Sequence, residues 1–295
     1  MAKPNLLIVG AAKSGTTSLH NYLNQHHDVF MCDPKEPHFL INNEIGTERI
    51  SVGVSEKIAY EKLFLDGENL KYRGESSVMY LMYPEIVIPK IKEYLGNDVK
   101  IIIMLRNPVE RAYSGYQHVK RYNIKEDISE FRDAWDVSEE RYFSNPEMTP
   151  ASRYKELGMY YKQVKSYLKN FNVHVIIYED YKEDIQNEMN KVFDFLEINR
   201  MEINFDQRHM VGGWQWENQK VKSLMIRKNL LKSFLKIIIP FKTVRKIIRK
   251  KIQDRNTSNV LPISMEDKKM LKHFYKDDVR QLSKLIDRDL NYWTK

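Results

Sequence analysis

Lys13, Gly15, Thr16 and Thr17 follow an apolar run, Leu6-Leu7-Ile8-Val9-Gly10, after the short spacer Ala11-Ala12. A strand that ends in small residues and opens a helix presents backbone N–H groups and a positive dipole end to an anion. Lys13 adds a point charge, and Thr16, Thr17 and Ser18 add hydroxyl donors. This is the chemistry of a phosphate cradle, with the N–H groups of Ser14 to Thr17 as its floor. The residue order narrows the choice. In the common nucleotide loop, G-x-x-x-x-G-K-[ST], the lysine follows the second glycine. Here Lys13 precedes Gly15 and the two threonines follow it directly.

A second anion site is expected further along. Val99–Leu105 is β-branched and almost wholly apolar, the pattern of a buried strand. It runs into Arg106-Asn107-Pro108, where Asn107 can cap a helix and Pro108 suits its first turn. Arg106 then stands at the carboxyl end of a strand, where open α/β sheets bind ligands. Ser114 is eight residues on, about two helical turns. An arginine and a serine hydroxyl placed so can hold a second phosphate. His118, four residues after Ser114, shares that face of the helix.

The K-x-G-T-T loop resembles the 5′-phosphosulfate loop of sulfotransferases that use 3′-phosphoadenylyl sulfate (PAPS). The R-x-P…S element resembles the part of those enzymes that grips the 3′-phosphate. Arg106 through His118 is similar to the corresponding helix of heparan-sulfate N-deacetylase/N-sulfotransferases, and Lys35-Glu36-Pro37-His38-Phe39 to the E-x-H-F element of the 3-O-sulfotransferases. The tail, Leu261 through Trp293, resembles the C-terminal helix and closing G-R-D-L…W of the class, with Asp287 where glycine is usual. The match is to the glycan-type branch.

The resemblance implies in-line sulfuryl transfer from PAPS to a hydroxyl or amine of a carbohydrate or polar small molecule, without a metal. Such chemistry rests on positioning and electrostatics. Lys13 is expected to neutralise charge at the 5′-phosphate as the bond to sulfur breaks. Glu36 is the first candidate for the base, since the family places its base in this element; His118 is the second and His38 the third. Tyr72 through Tyr80 resembles the E-K-[ST]-P-x-Y stretch of the glycan enzymes, with Ser76 and Val78 in place of its lysine and proline. Glu75 and Tyr80 are expected to face the acceptor or to order the nucleotide loop. Trp214, after Arg208 to Gly213, is expected to stack on adenine or sugar, or to belong to the core.

Elements must hold these residues in place. The pattern reads as strand Leu6–Gly10, helix Thr16–Gln25, a strand near Lys71–Glu75, helix Tyr83–Tyr94, strand Val99–Leu105 and helix Pro108–Tyr122. Helix Gly158–Asn170, strand Val173–Tyr178 and helix Lys182–Leu196 follow. Strands alternating with helices predict a parallel sheet covered on both faces, a three-layer α/β sandwich. The resemblance adds a P-loop-kinase-like strand order. The long crossover over 26–70, and another loop marked by Pro146 and Pro150, are expected to face substrate.

At 295 residues, with no repeat or low-complexity tract, a single domain over 1–295 is the economical reading. The one cysteine, Cys32, excludes an internal disulfide and suggests a reducing compartment. No signal peptide opens the sequence, and no apolar run approaches the ~18 residues of a membrane span, so a cytoplasmic protein is expected. No Cys/His cluster has metal-ligand spacing. The net charge of +8 arises largely over 220–252, where lysines and arginines interleave with aliphatic residues and Pro240 divides two helical halves. That stretch reads as a basic lid over the site or as a helix lying on an anionic membrane surface. An ATP-dependent phosphotransferase is the rival enzyme reading, although the sequence lacks the G-K-[ST] order. A nucleic-acid binder is disfavoured, because the basic stretch lies far from the phosphate loop and carries no recognition motif.

Overall fold

Strand β1 (Leu6–Gly10) is buried along its whole length, as five apolar or small residues in a row require. In this computed structural model, which describes residues 2–50, 52–123, 125–205, 213–226 and 242–295, β1 occupies the centre of a five-stranded parallel sheet. The other strands are β2 (Val29–Met31), β3 (Tyr72–Ser76), β4 (Lys100–Leu105) and β5 (Val173–Ile177). The strand order is β2-β3-β1-β4-β5. The chain therefore leaves β1 for one side of the sheet and returns to the other. The crevice beyond the carboxyl ends of β1 and β4 is the expected ligand position in such sheets.

Alternation along the central strands divides the interior in two. Leu7, Val9, Ile101, Ile103 and Leu105 pack beneath α4 (Pro84–Tyr94), α5 (Pro108–Tyr122), α8 (Tyr160–Leu168) and the long C-terminal α13 (Met265–Leu285). Leu6, Ile8, Ile102 and Met104 face the other way, against α1 (Thr16–Leu23) and α10 (Ile185–Phe195). The result is the three-layer sandwich.

The structure departs from the sequence pattern at several points. The first crossover contains the edge strand β2, helix α2 (Phe39–Ile45) and helix α3 (Lys57–Lys62). The second loop region holds α6 (Phe131–Asp136) and α7 (Ser138–Ser144). The helix expected over Lys182–Leu196 is two helices, α9 (Tyr178–Glu183) and α10. The chain breaks at Asp184, whose φ is −142° and whose carboxylate accepts a hydrogen bond from Asn187 N–H as an N-cap.

Beyond α10, β6 (Trp214–Trp216) pairs antiparallel with β7 (Thr257–Asn259), bracketing α11 (Gln219–Ile226) and α12 (Lys242–Asp254). The Arg208–Gly212 part of the expected loop and the break at Pro240 lie outside the described residues.

Candidate active site

The cradle forms where β1 gives way to α1. Gly15 has φ +95°, and a Cβ there would come within about 3.0 Å of the Tyr178 ring, so glycine is required by backbone and by space. Helix α1 begins at Gly15 with no side-chain cap and no acidic residue in its first turn. The unsatisfied N–H groups and the dipole at this end are thus left for an anion. Lys13 enters the loop with φ +68°. Ser14 is fully buried and contributes backbone rather than a cleft-facing hydroxyl.

β4 and α5 deliver the second group. Asn107 caps α5 as its sequence suggested, its Oδ1 accepting from Val109 N–H at 3.0 Å. Glu179 accepts from Asn107 N–H, and Tyr160 donates its hydroxyl to the Arg106 carbonyl at 3.0 Å. Held by this turn, the Arg106 guanidinium donates to the Lys13 carbonyl at 3.3 Å and lies over the Tyr178 ring. Arg106, Ser114 and His118 all line one cleft of about 780 Å³ together with Lys13, Thr16, Thr17 and Ser18.

Glu36 and His38 line the same cleft. Both have left-handed backbones, with φ +66° and +50°. With Lys13 that makes three non-glycine residues in a sparsely populated region, each costing about 1–3 kcal/mol. Glu36 accepts at both oxygens, from Lys35 Nζ at 2.7 Å and His38 Nε2 at 3.1 Å. Burial alone would raise its pKa, but the Lys35 charge and the His38 contact together hold the carboxyl far below the usual range. The group is a carboxylate at any working pH.

Burial brings Lys13 down to about 8, assisted by the charges of Arg121 and Arg106. Burial, Lys13 and Arg121 bring His118 down to about 3. His118 is therefore neutral and offers Nδ1 to Lys13 Nζ, 3.5 Å away. Lys13, Arg106 and Arg121 beside an uncharged His118 make this part of the cleft favourable to an anion.

Glu75 and Tyr80 do not line the cleft; they lie in the interior beneath it. The Glu75 carboxyl is fully buried, which raises its pKa, and it accepts from Tyr60 at 2.5 Å, Ser77 at 2.7 Å and Tyr80 at 3.1 Å. Ser77 accepts in turn from His38 N–H, and Tyr80 from Leu40 N–H. Neither expectation for these residues describes what they do: they order a loop, but it is the one carrying Glu36 and His38 and not the nucleotide loop. Ser76 is buried against His20, 2.8 Å from its Nδ1, and points away from the cleft. Trp214 is also off the cleft. It stacks under Arg121 and edge-on to Tyr122, at the end of α5.

Sequence reasoning passed over Tyr178, Arg111 and Arg121. Tyr178 follows β5 as Arg106 follows β4, so the same strand-end signal could have found it. Arg111 is fully buried, lines the cleft and donates to the Tyr154 carbonyl at 2.6 Å. Arg121 lies one turn past His118 on α5. Among the described residues, His26, His27 and Asp28 bring potential metal ligands together. Both His26 nitrogens are already engaged there, with Asp28 N–H and the Asn199 carbonyl.

Known proteins resemble this chain in sequence and fold. The sulfotransferase domain family matches residues 3–233, and the chain belongs to that family. The membrane-associated sulfotransferase kil1 of Dictyostelium discoideum is 31% identical over 113 residues, 38% of this chain and 22% of the relative. Bifunctional heparan sulfate N-deacetylase/N-sulfotransferase 1 of Caenorhabditis elegans is 32% identical over 116 residues, 39% of this chain and 13% of the relative. The chain thus spans less than a quarter of the length of either. A sulfotransferase crystal structure from Alicyclobacillus acidocaldarius superimposes with a TM-score of 0.73 at 28% identity, covering 100% of both chains. Family and fold place the protein among the sulfotransferases and do not favour the phosphotransferase reading.

Proposed function

We propose that the protein moves a sulfuryl group from PAPS to a hydroxyl or amine of a carbohydrate or polar small-molecule acceptor. The observation that carries this reading is the convergence, in one cleft, of an uncapped helix N-terminus, Lys13, the Arg106/Ser114 pair and the ionised Glu36. The donor set fits the nucleotide: the N–H groups of Ser14 to Ser18 with the Thr16 and Thr17 hydroxyls for the 5′-phosphosulfate, and Arg106 with Ser114 for the 3′-phosphate. When bound, PAPS would supply a sulfuryl group whose bond to the 5′-phosphate oxygen breaks as the acceptor attacks.

Lys13 would place its ammonium where negative charge grows on that oxygen. Glu36 would take the acceptor proton at a carboxylate oxygen, from a position fixed by Lys35 and His38. Neutral His118 would orient Lys13 and offer a second proton acceptor. His38 would act through Glu36.

The glycan-modifying relative supports a carbohydrate acceptor. Ile50, Val78 and Met79 on the cleft wall, and a buried Ser76 where the glycan enzymes carry lysine, favour a second reading in which the acceptor is a less anionic secondary metabolite. We place the protein in the cytoplasm, since Cys32 is a buried free thiol. Among the described residues no helix is long and apolar enough to cross a membrane.

Calorimetric titration with 3′-phosphoadenosine 5′-phosphate tests the reading. Metal-independent binding, weakened by Lys13→Ala and by Arg106→Ala, is expected. Preference for ATP with magnesium would overturn it.

A further inference from the structure

Helix α12 turns an aliphatic face to solvent. Val244, Ile247, Ile248 and Ile252 are 38–53% exposed. Their spacing puts them on one stripe of the helix. Lys251 and Arg255 share that face and Arg249 and Lys250 flank it, all four exposed, long side chains that can carry their charge outward from an aliphatic surface. A solvated helix keeps its aliphatic residues on the core side, and α12 does not.

We propose that α12 is a docking surface for an anionic lipid bilayer, lying in the plane of the interface with the four aliphatic side chains at the acyl boundary and the cations among the headgroups. Charge complementarity selects this occupant. A second copy paired face to face would bring Arg249, Lys250, Lys251 and Arg255 against their own equivalents. A nucleic-acid backbone would satisfy the cations and leave the aliphatic stripe wet. The inference is independent of the reaction assigned to the cleft. It also has a geometric consequence. α12 runs into β7, β7 pairs with β6, and β6 rests through Trp214 and Trp216 on the end of α5, where Trp216 Nε1 donates to the Arg121 carbonyl at 3.2 Å. The docked face is thereby tied to the helix that carries Ser114 and His118.

Co-sedimentation of the full chain with phosphatidylcholine vesicles, with and without phosphatidylglycerol, at low and high salt, is the test. Binding to the anionic vesicles alone, weakened by salt, is expected. The triple variant Arg249→Gln/Lys250→Gln/Lys251→Gln should lose about 100-fold in partition coefficient, at roughly a factor of five per cation. Ile247→Asp/Ile248→Asp should lose about tenfold or more. Both should keep the nucleotide affinity of the parent, because none of the changed side chains lines the cleft, and a thermal melt of each variant confirms that it is folded. No binding to either vesicle, binding undiminished in the isoleucine variant, or a dimer that the isoleucine variant dissociates would each overturn the proposal.

Discussion

Lys13 Nζ and His118 Nδ1 lie 3.5 Å apart across the cleft, the first on the loop after β1 and the second three turns into α5. Neither has a carboxylate within ion-pair distance among the described residues. Burial and the neighbouring Arg121 depress both, so the charge on Lys13 is held at a cost that a nearby anion would relieve.

That relief has a sign. Lys13 sits near 8 before the nucleotide binds, and an adjacent phosphate raises it. Binding at pH 8 is then accompanied by uptake of about half a proton, and affinity falls as pH rises further. Calorimetry of 3′-phosphoadenosine 5′-phosphate in buffers of different ionisation enthalpy reads the uptake directly. The Lys13 share of that uptake should be absent in Lys13→Arg, whose guanidinium does not titrate, leaving only the proton exchange of the ligand's own phosphates, which titrate at about pH 6.

Glu36→Gln removes the proposed base while keeping shape and a hydrogen-bond acceptor for Lys35. We expect kcat to fall by about 10²–10⁴-fold with nucleotide affinity little changed. Steady-state kinetics beside calorimetry separates the two. Turnover near wild type would move the base role to His118.

Glu75 supports the same loop from below. Replacing it with Gln sets an amide N–H against the Ser77 hydroxyl, which already accepts from His38 N–H. A loss of about 1–3 kcal/mol in stability is expected. kcat should fall by roughly 10–100-fold from misplacement of Glu36, while the affinity for 3′-phosphoadenosine 5′-phosphate is kept. Denaturant melts and kinetics on the same variant measure both. Equal losses in nucleotide binding and turnover would show general unfolding instead.

Asp287 follows the last turn of α13 with φ +51°, and the next N–H, that of Arg288, closes back to the Ser283 carbonyl at 3.0 Å. This is a left-handed helix end of the kind glycine normally occupies. Asp287→Gly should therefore stabilise the protein by about 0.5–1 kcal/mol, read as a rise in thermal midpoint.

The two strand–turn–helix units that carry the proposed nucleotide side were legible because each is a continuous stretch in which strand, turn and helix signals agree. Residues 6–19 and 99–118 needed no knowledge of distant contacts. The acceptor side was not. β2 is only three residues, too short for a period, and α2 starts at His38 in a left-handed backbone with no side-chain cap. Glu75 reads as an exposed acid at a strand end until Tyr60 and Tyr80, from two other elements, are brought over it. Trp214 could be an adenine platform or a core residue on sequence alone. Its place beside Arg121 depends on a two-stranded pairing between segments 41 residues apart.

That small pairing separates two regimes of constraint. Trp214–Trp216 and Thr257–Asn259 clamp the base of everything between them, and from inside that interval Ile226 reaches the cleft. Chain length beyond a clamp is thermodynamically cheap, about 0.6 kcal/mol for each doubling. Length added between the two strands would leave the clamp itself intact, whereas a change in α11, whose buried Lys222 donates to the Glu126 carbonyl and whose Ile226 lines the cleft, would be felt in the body of the protein.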